Sequence, residues 1–269
     1  MNILQQIVKL KKEEISKDKQ QYPLPFFIDL MAKGAPPTRD FFGSLSESTC
    51  VAVIAELKFA SPSRGIINQR ENLVKIIQSY DTGGARAISV LTEGNFFRGE
   101  AEDIRKVKKI SPLPVLRKDF IIEEYQIYQS RFLGADAVLL IASLLKTAQL
   151  RNFQEIAASL GMDCLVEVHN KEELARALEA ESKIIGINNR QLEDFSVNLS
   201  TTRQLSKLVP LECLLISESG ISSSKDIEQL NQSGIDAVLV GETLMTASDP
   251  QKVLEELSRV PKIKKPKRS

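Results

Sequence analysis

The sequence predicts an α/β protein that closes into a single (β/α)8 (TIM) barrel with an N-terminal helical extension. From Cys50 onward, short apolar runs rich in β-branched residues alternate with longer segments of helical period, which is the pattern of repeated βα units. About eight such units are counted by that template. Almost every run is continuously apolar, as parallel strands covered by helices should be. The length of 269 residues is ordinary for one barrel.

The predicted strands follow one another at similar spacing along the chain. In order they are CVAVIAELK from Cys50, RAISVLT from Arg86, PVLRKDF from Pro114, DAVLLIA from Asp136, DCLVEVH from Asp163, KIIGINN from Lys183, CLLISES from Cys213 and DAVLVGE from Asp236. Two helices between or after them carry clear end signals: Gly161 is placed as a C′ glycine, and Asp249 with Pro250 opens the last helix. Eight strand and helix pairs in about 200 residues favour a closed barrel over an open doubly wound sheet.

The first 49 residues stand outside this repeat. They begin with an amphipathic charged helix and continue through segments rich in proline and glycine, which predict an irregular wrap around the barrel. The wrap contains four phenylalanines that we expect to pack on the barrel, Phe26, Phe27, Phe41 and Phe42. A loosely held leader is the alternative. The chain therefore divides into an N-terminal extension at 1–49, a catalytic barrel at 50–260 and a basic, solvated tail at 261–269.

Composition argues against several kinds of partner and site. Lys and Arg total 36 and Asp and Glu total 35, so no global field favours nucleic acid. The first 21 residues lack the apolar core of a targeting signal, and no stretch reaches membrane-spanning length. Cys50, Cys164 and Cys213 lie in apolar runs without CxxC spacing, and His169 is the single histidine. We therefore expect a cytoplasmic protein with no metal and with neither nucleic-acid nor membrane partners.

Charged and polar residues end five of the predicted strands. They are Glu56 and Lys58 after the first strand, Lys118 and Asp119 after the third, Glu167 after the fifth, Asn188 and Arg190 after the sixth, and Glu218 after the seventh. Active sites of this fold lie where the carboxyl ends of the strands meet. Glu56 and Lys58 are two positions apart and so point to the same side. Each residue alone could form a structural ion pair, but together they favour an active site, because burying unpaired charges is costly.

Glycine and hydroxyl residues after the last two strands predict a phosphate cradle. SESGISSSKD runs from the seventh strand through Ser219 and Gly220 into a helix start, and LVGETLM leaves the eighth strand through Gly241. Backbone amides of the loops after these two strands bind phosphate in this fold. Ser61, in the loop after the first strand, could add a donor. Glycines that only relieve tight turns are the alternative interpretation.

Seven segments, in order from about Ala52 to Met245, match the motifs of one known family. They are IAELKFASPSRG, ISVLTEGNFFRG, VLRKDFIIEEYQIYQSRFLGADAVLLI, LVEVHN, IGINNRQLEDFSVNLSTT, LISESGI and VLVGETLM. On these segments and on its helical leader the chain resembles the indole-3-glycerol phosphate synthase family, the ring-closing enzymes of tryptophan biosynthesis. Such a set is far more specific than any single motif.

The resemblance implies a reaction without a cofactor. The implied substrate is 1-(2-carboxyphenylamino)-1-deoxyribulose 5-phosphate, which becomes indole-3-glycerol phosphate with loss of carbon dioxide and water. Lys118 is implied to protonate the sugar carbonyl oxygen as the carbon bond forms. Neighbouring cations would lower the pKa of Lys118 and carboxylates would sustain it, and the sequence leaves open which prevails. Glu56 and Lys58 are implied to serve the dehydration, with Glu56 as base, while Glu167 and Glu218 orient Lys118.

The resemblance also implies which residues hold the substrate. Asn188 and Arg190 are implied to position it, with Arg190 reaching a carboxylate or anchoring the loop. The phosphate is implied to bind Ser61, Ser219, Gly220 and Gly241, and the aromatic ring Phe97, Phe120 and Leu139. Two positions depart from the family pattern: Phe59 stands where a basic residue is commoner, and Glu242 stands where some relatives have serine. At the second position the phosphate is therefore implied to bind the backbone amide, because no side-chain hydroxyl is present.

Two other functions fit parts of the same pattern. A Schiff-base aldolase would use Lys118 as a nucleophile on a phosphorylated keto sugar. A non-catalytic phosphosugar-binding barrel would need the phosphate cradle, but not Glu56, Lys58, Lys118 and Glu167 together. In each case the expected partner is a small phosphorylated molecule, and we expect a monomer.

Overall fold

Eight parallel strands form a closed barrel in the computed structural model, which describes residues 3–191 and 195–263. In chain order they are β1 (Ala52–Leu57), β2 (Ala87–Leu91), β3 (Val115–Lys118), β4 (Ala137–Ile141), β5 (Asp163–Val168), β6 (Ile184–Asn188), β7 (Leu214–Glu218) and β8 (Ala237–Val240). Each strand pairs with the next along the chain, and β8 pairs with β1 to close the ring. All eight lie inside the predicted runs, so the predicted fold class is confirmed.

Helices precede the barrel and cover its outside. They are α1 (Ile3–Gln21), α2 (Leu24–Ala32), α3 (Phe41–Ser46), α4 (Leu73–Thr82), α5 (Gly94–Phe97), α6 (Glu102–Ile110), α7 (Tyr125–Leu133), α8 (Thr147–Ser159), α9 (Lys171–Glu179), α10 (Ser200–Leu205), α11 (Ser224–Asn231), α12 (Glu242–Thr246) and α13 (Pro250–Leu257), with 3-10 turns at Arg70–Asn72 and Ser206–Leu208. The predicted ends of α8 and α13 are confirmed: Gly161 has a φ of +76°, and the Asp249 carboxylate accepts from the Lys252 amide at 3.1 Å. None of the described helices is both long and apolar enough to cross a membrane.

Alternate residues of the strands enter two different apolar clusters. Val53 and Ala55 of β1 pack in the layer between the barrel and its helices, whereas Ala52 and Ile54 belong to the cluster inside the barrel. Side chains alternate along a strand, so Glu56 continues the inner set and its carboxylate enters the barrel. This register sends the charged strand ends toward the cavity at the carboxyl end of the barrel.

The N-terminal extension contains three helices, so the expected irregular wrap is only partly correct. Prolines stand at the start of α2, where a missing amide proton costs nothing, and Asp40 caps α3 by accepting from the Gly43 amide at 2.7 Å. Phe41 is fully buried and joins the cluster inside the barrel. These prolines and this cap begin helices at positions that the sequence pattern predicted as irregular.

The remaining predicted contacts of the extension are mostly present. Phe27 is buried against the rings of Tyr125 and Phe132, and Phe42 packs partly buried on the inner cluster. Phe26 touches the Phe132 ring with its centroid at 5.8 Å but keeps 38% of its surface exposed. The extension is therefore docked through aromatic contacts, as expected.

The predicted tail begins as part of the packed structure. Lys262 donates from Nζ to the backbone oxygen of Leu45 at 2.9 Å, and its backbone amide bonds the oxygen of Thr49 at 2.9 Å. The expectation of a solvated tail is thus wrong at this residue, because a strand-like bridge between Cys50 and Pro261 brings the two segments together. Residues 264–269 lie outside the described residues, and the domain boundaries at 49 and 260 stay predictions.

Candidate active site

One cavity of about 430 Å³ opens at the carboxyl ends of the barrel strands. Every residue that sequence analysis assigned to catalysis or binding lines it: Glu56, Lys58, Ser61, Phe97, Lys118, Phe120, Leu139, Glu167, Asn188, Arg190, Glu218, Ser219, Gly220 and Gly241. The cavity is also lined by apolar side chains that sequence analysis did not single out, Leu91, Ile141, Val197, Ile221 and Leu239. What each residue does in the cavity stays a prediction.

Lys118, the last residue of β3, lies between two carboxylates. Its Nζ is 2.8 Å from Glu167 Oε2 and 3.1 Å from Glu218 Oε2. Burial opposes the ammonium charge, but Glu167, Glu218 and Glu56 together outweigh burial and raise the pKa of Lys118. The carboxylates therefore prevail over neighbouring cations, and Lys118 carries its proton at neutral pH, which is the state that a general acid requires.

The pKa values of Glu167 and Glu218 are shifted in opposite directions although both residues contact Lys118. Burial opposes ionisation of Glu167, but Lys118, His169 and a hydrogen bond from Asn188 lower its pKa. For Glu218, burial and repulsion from Glu167 and Glu56 outweigh the attraction of Lys118 and raise its pKa. Two neighbouring carboxylates with pKa values pushed apart can serve as one ionised and one protonated group.

A glycine makes the room that Glu218 occupies. A Cβ on Gly186, in the middle of β6, would lie 2.1 Å from Glu218 Oε1. Any other residue at this position would displace the carboxylate of Glu218, which belongs to the neighbouring strand β7. The close approach of Glu218 to β6 therefore depends on the absence of that side chain.

Glu56 and Lys58 form the predicted charge pair at the end of β1. Lys58 Nζ is 3.2 Å from Glu56 Oε2, and the Glu56 side chain is almost fully buried. The hydroxyl of Tyr80 donates to the backbone oxygen of Glu56 at 3.1 Å, which fixes the strand end. A Cβ on Gly241 would lie 2.3 Å from Glu56 Oε2, so this glycine also makes room for a carboxylate. The pair thus lies beside the loop that leaves β8.

The predicted phosphate cradle is built from the loops after β7 and β8. Ser219 and Gly220 both have positive φ, +67° and +82°, and a Cβ on Gly220 would lie 2.4 Å from Val197 Cγ1. The hydroxyl of Thr243 donates to the backbone oxygen of Ile221 at 2.7 Å and ties the two loops together. The loop after β1 contains a short hairpin of Ala60–Ser61 with Gly65–Ile66. Ser61 lies in it and lines the cavity.

Glu242 brings a carboxylate to the same loops, and sequence analysis considered only its backbone. Its Oε1 is 2.9 Å from Arg64 Nη2, and its Oε2 is 3.6 Å from Arg190 Nη2. Arg190 also donates from Nη1 to the backbone oxygen of Phe195 at 3.1 Å. Arg190 therefore contacts a carboxylate of the protein and a loop oxygen at once, and its role toward the substrate stays a prediction.

The apolar part of the cavity is organised by a helix cap. The Glu93 carboxylate accepts from three amides at the start of α5, those of Asn95, Phe96 and Phe97. This cap fixes the turn that presents Phe97, whose ring centroid lies 6.3 Å from that of Phe120. The two rings form a surface suited to a flat aromatic ligand.

Asp119 borders the cavity with the charged residues that sequence analysis grouped it with, but its carboxylate is bonded to groups outside that cluster. Its carboxylate is bonded by Lys11 Nζ at 2.9 Å, Arg117 Nη2 at 2.9 Å and the Thr92 hydroxyl at 2.6 Å. Burial opposes ionisation, but the two cations hold its pKa well below the usual range. Lys118 points inward, so alternation along the strand turns Asp119 outward toward α1.

Phe59 shows the same alternation beside Lys58. Its ring is buried in the outer apolar layer, and the Arg70 guanidinium lies 4.8 Å from the ring centroid. A residue at this position faces away from the cavity. The missing basic residue noted in the sequence therefore affects the outer layer and leaves the Glu56–Lys58 pair intact.

His169, which sequence analysis noted only as the single histidine, lies beside Glu167, one of the carboxylates that contact Lys118. It is 7% exposed, and its Nε2 is 3.5 Å from Glu167 Oε1. The only signal in the sequence was its position two residues after Glu167. The expectation of no metal site stays a prediction; in the described part of the chain no three histidine, cysteine or acidic residues are grouped as metal ligands.

Comparisons with known proteins point to one family. The family model described as indole-3-glycerol phosphate synthase matches residues 4–257. A protein of Acetivibrio thermocellus with that name is 45% identical over 96% of this chain and 100% of its own, and one of Caldanaerobacter subterraneus is 49% identical over 90% and 93%. Among solved structures, 3-hexulose-6-phosphate synthase from Salmonella typhimurium aligns with a TM-score of 0.63 over 78% of this chain and 97% of its own. At 16% identity that likeness concerns the fold alone.

Proposed function

The chain belongs to the indole-3-glycerol phosphate synthase family, and from this premise we propose how its cavity carries out the family's reaction. The protein is a carboxy-lyase of tryptophan biosynthesis that acts on a small phosphorylated substrate. It converts 1-(2-carboxyphenylamino)-1-deoxyribulose 5-phosphate to indole-3-glycerol phosphate, carbon dioxide and water. The ring carbon that bears the carboxylate attacks the sugar carbonyl, carbon dioxide leaves, and loss of water completes the indole.

Lys118 protonates the carbonyl oxygen as the new carbon bond forms. Its ammonium is held by Glu167 and Glu218 on either side, and this contact is the observation that carries the proposal. The two carboxylates orient Lys118 toward the cavity and stabilise positive charge that develops on the substrate. Glu218, which has the raised pKa, is placed to return a proton to Lys118 after the transfer.

Glu56 and Lys58 act in the dehydration. Glu56 accepts the proton that the substrate loses, and Lys58, 3.2 Å away, supplies a proton to the departing hydroxyl. The pair lies at the end of β1, whereas Lys118 lies at the end of β3, so the acid of the first step and the base of the last come from different strands. This division lets one bound substrate meet both groups without leaving the cavity.

The substrate is held at its charged and its flat ends by different surfaces. Backbone amides of the loops after β7 and β8, with Ser61 and Ser219, bind the phosphate. Phe97, Phe120 and Leu139 hold the aromatic ring. Asn188 and Arg190 position the substrate between them. These roles rest on the places of the residues in the cavity and on the family's chemistry.

The first experiment uses the absence of tryptophan, because indole product fluoresces above a background of four tyrosines. Wild type should show rising indole emission with the carboxyphenylamino-deoxyribulose phosphate, and Lys118→Ala should lower kcat by a factor on the order of 100 to 10,000, the usual loss for a general acid. Lys183→Ala, which removes an exposed lysine, should match wild type.

The same assay decides between the proposal and its rivals. Full activity of Lys118→Ala would contradict the assigned acid. Trapping of a covalent adduct on Lys118 by borohydride would favour the Schiff-base aldolase. Substrate binding without emission from wild type would favour a phosphosugar-binding barrel.

We further propose a cytoplasmic monomer with the domain division given above. Support for a reducing compartment comes from Cys50, Cys164 and Cys213, which are free thiols. Sedimentation equilibrium should give a mass near that of one chain, 30.0 kDa. A mass of twice this value would contradict the monomer.

A further inference from the structure

His169 stands between the catalytic carboxylate Glu167 and a second carboxylate on α9. Its Nδ1 is 3.1 Å from Glu173 Oε2, and its Nε2 is 3.5 Å from Glu167 Oε1. The other oxygen of Glu167, Oε2, is the one that contacts Lys118. Each oxygen of Glu167 therefore faces a different nitrogen, one on the catalytic lysine and one on the histidine.

Contacts with Glu173 and Asn170 fix the position of the imidazole. Glu173 Oε2 also accepts from the His169 backbone amide at 2.8 Å, and Glu173 Oε1 accepts from Asn170 Nδ2 at 3.0 Å. Asn170 in turn caps α9, accepting from the Glu173 amide at 2.8 Å. The capping residue Asn170 thus contacts the Glu173 carboxylate, which contacts the imidazole, and the imidazole in turn faces Glu167.

The groups that face the imidazole are mostly anions. Glu167 comes from β5, Glu173 from α9 and Glu218 from β7, while Lys118 on β3 lies on the far side of Glu167. Burial opposes a charge on His169, but its hydrogen bond with Glu173 and the charge of Glu167 outweigh burial and raise its pKa. In the described part of the chain His169 Nε2 has no hydrogen-bond partner, so Glu167 is the anion that it faces.

We propose that His169 is a positioning residue that keeps Glu167 ionised and turned toward Lys118, so that the proton shared by the two active-site carboxylates rests on Glu218. The inference rests on the proposed function, in which Glu167 and Glu218 orient Lys118. Glu218 contacts Lys118 but not the imidazole, which acts on it only at longer range, and it is repelled by Glu167 and Glu56. The asymmetry between the two carboxylates then follows from a cation that only one of them contacts.

The first test measures the coupling directly and needs no activity. The chain has one histidine, so its imidazole NMR signal requires no assignment by mutation. Because coupling between two sites is reciprocal, Glu167→Gln should lower the pKa of His169 by about one unit. Glu173→Gln should lower it as well. Glu172→Gln, an exposed neighbour on α9, should leave it unchanged. An unchanged His169 pKa in Glu167→Gln would overturn the inference.

The second test measures the consequence for catalysis. His169→Gln keeps a neutral amide donor near the place of Nε2 but removes the charge. Without that cation the pKa of Glu167 rises, so the acidic limb of kcat/KM should move up by about one pH unit, with KM within about twofold of wild type. The two proteins should converge at high pH, where the wild-type imidazole is also neutral. An acidic limb that coincides with that of wild type would overturn the inference.

Glu167→Gln separates the two possible failures. If this variant keeps wild-type kcat, the proposed role of Glu167 is wrong and the inference falls with it. If it loses activity while His169→Gln keeps the wild-type pH profile, only the inference about His169 is wrong.

Discussion

At the scale of single residues, Glu242 adds a negative charge to the loop that is proposed to bind the phosphate. Such a charge repels a phosphate, so its presence there is unexpected. Its carboxylate lies between the guanidinium groups of Arg64 and Arg190, beside the loop that leaves β8. Arg190 lines the cavity, and Arg64 directly follows Ser63, which also lines it. A phosphate that enters the cradle therefore competes with Glu242 for the same cations and is repelled by its charge.

Removal of that charge should strengthen phosphate binding. Glu242→Gln should bind inorganic phosphate about five to ten times more tightly than wild type at low salt, with a smaller gain at 0.15 M, because screening weakens the repulsion. Isothermal titration calorimetry measures the two dissociation constants. Glu228→Gln removes one exposed charge on α11 and should bind as wild type does. Weaker binding by Glu242→Gln would mean that the carboxylate orders the arginines rather than competing with phosphate.

At the scale of elements, α1 is tied to β3 through a buried lysine. Lys11 is 1% exposed, and its Nζ contacts Asp119 and Glu14 at 2.9 Å each. Burial opposes the charge on Lys11, but the two carboxylates raise its pKa. Asp119 directly follows Lys118, so the same contact joins the N-terminal extension to the end of the strand that carries Lys118. The extension is thereby part of the packed barrel.

Loss of this contact should destabilise the whole protein. Lys11→Met leaves Asp119 buried with Arg117 as its remaining cation, so the free energy of unfolding should fall by about 3 kcal/mol, the low end for breaking a buried pair. Urea denaturation followed by circular dichroism measures this change. Lys12→Met, at an exposed neighbouring position on the same helix, should be close to wild type. Equal stability of Lys11→Met and wild type would show that the pair contributes nothing net.

At the scale of the molecule, carboxylates whose pKa changes on folding set the dependence of stability on pH at acidic pH. The carboxyl pKa is lowered in the folded state for Asp119, Glu167, Glu173 and Asp226, and it is raised for Asp163 and Glu218. A carboxylate with a lowered folded pKa stabilises the fold above its unfolded pKa, and this stability is lost as the pH falls through the folded value. The two carboxyl groups with raised values and His169, whose pKa is also raised, act in the opposite sense but are fewer.

The midpoint of thermal unfolding should therefore fall progressively below about pH 5. A series of melts between pH 7 and pH 3, followed by circular dichroism at constant ionic strength, measures the effect. Asp119→Asn should show a shallower fall than wild type, because it removes the carboxylate with the strongest cationic contacts. A midpoint independent of pH in the wild-type protein would contradict this account.

The sequence by itself determined the eight strands and the predicted ends of α8 and α13. It also determined that Glu56, Lys118, Glu167 and Glu218 meet at the carboxyl end of the barrel. These follow from local rules: apolar period, cap residues, and the alternation of side chains along a strand, which act within a few positions of the chain. The N-terminal extension shows the limit of such rules, since the prolines of α2 and the cap of α3 were interpreted as irregular structure.

Only the tertiary structure decided which groups meet and which hold protons. Lys11 meets Asp119, Arg64 meets Glu242, and Lys262 meets Leu45 across long separations in the chain, and no local pattern relates the members of each pair. The pKa of Glu167 is lowered because Lys118 and His169 outweigh burial, whereas burial and repulsion from Glu167 and Glu56 raise the pKa of Glu218. Burial and contacts between distant residues exist only after packing, so the sequence locates the charges but the fold sets their protonation.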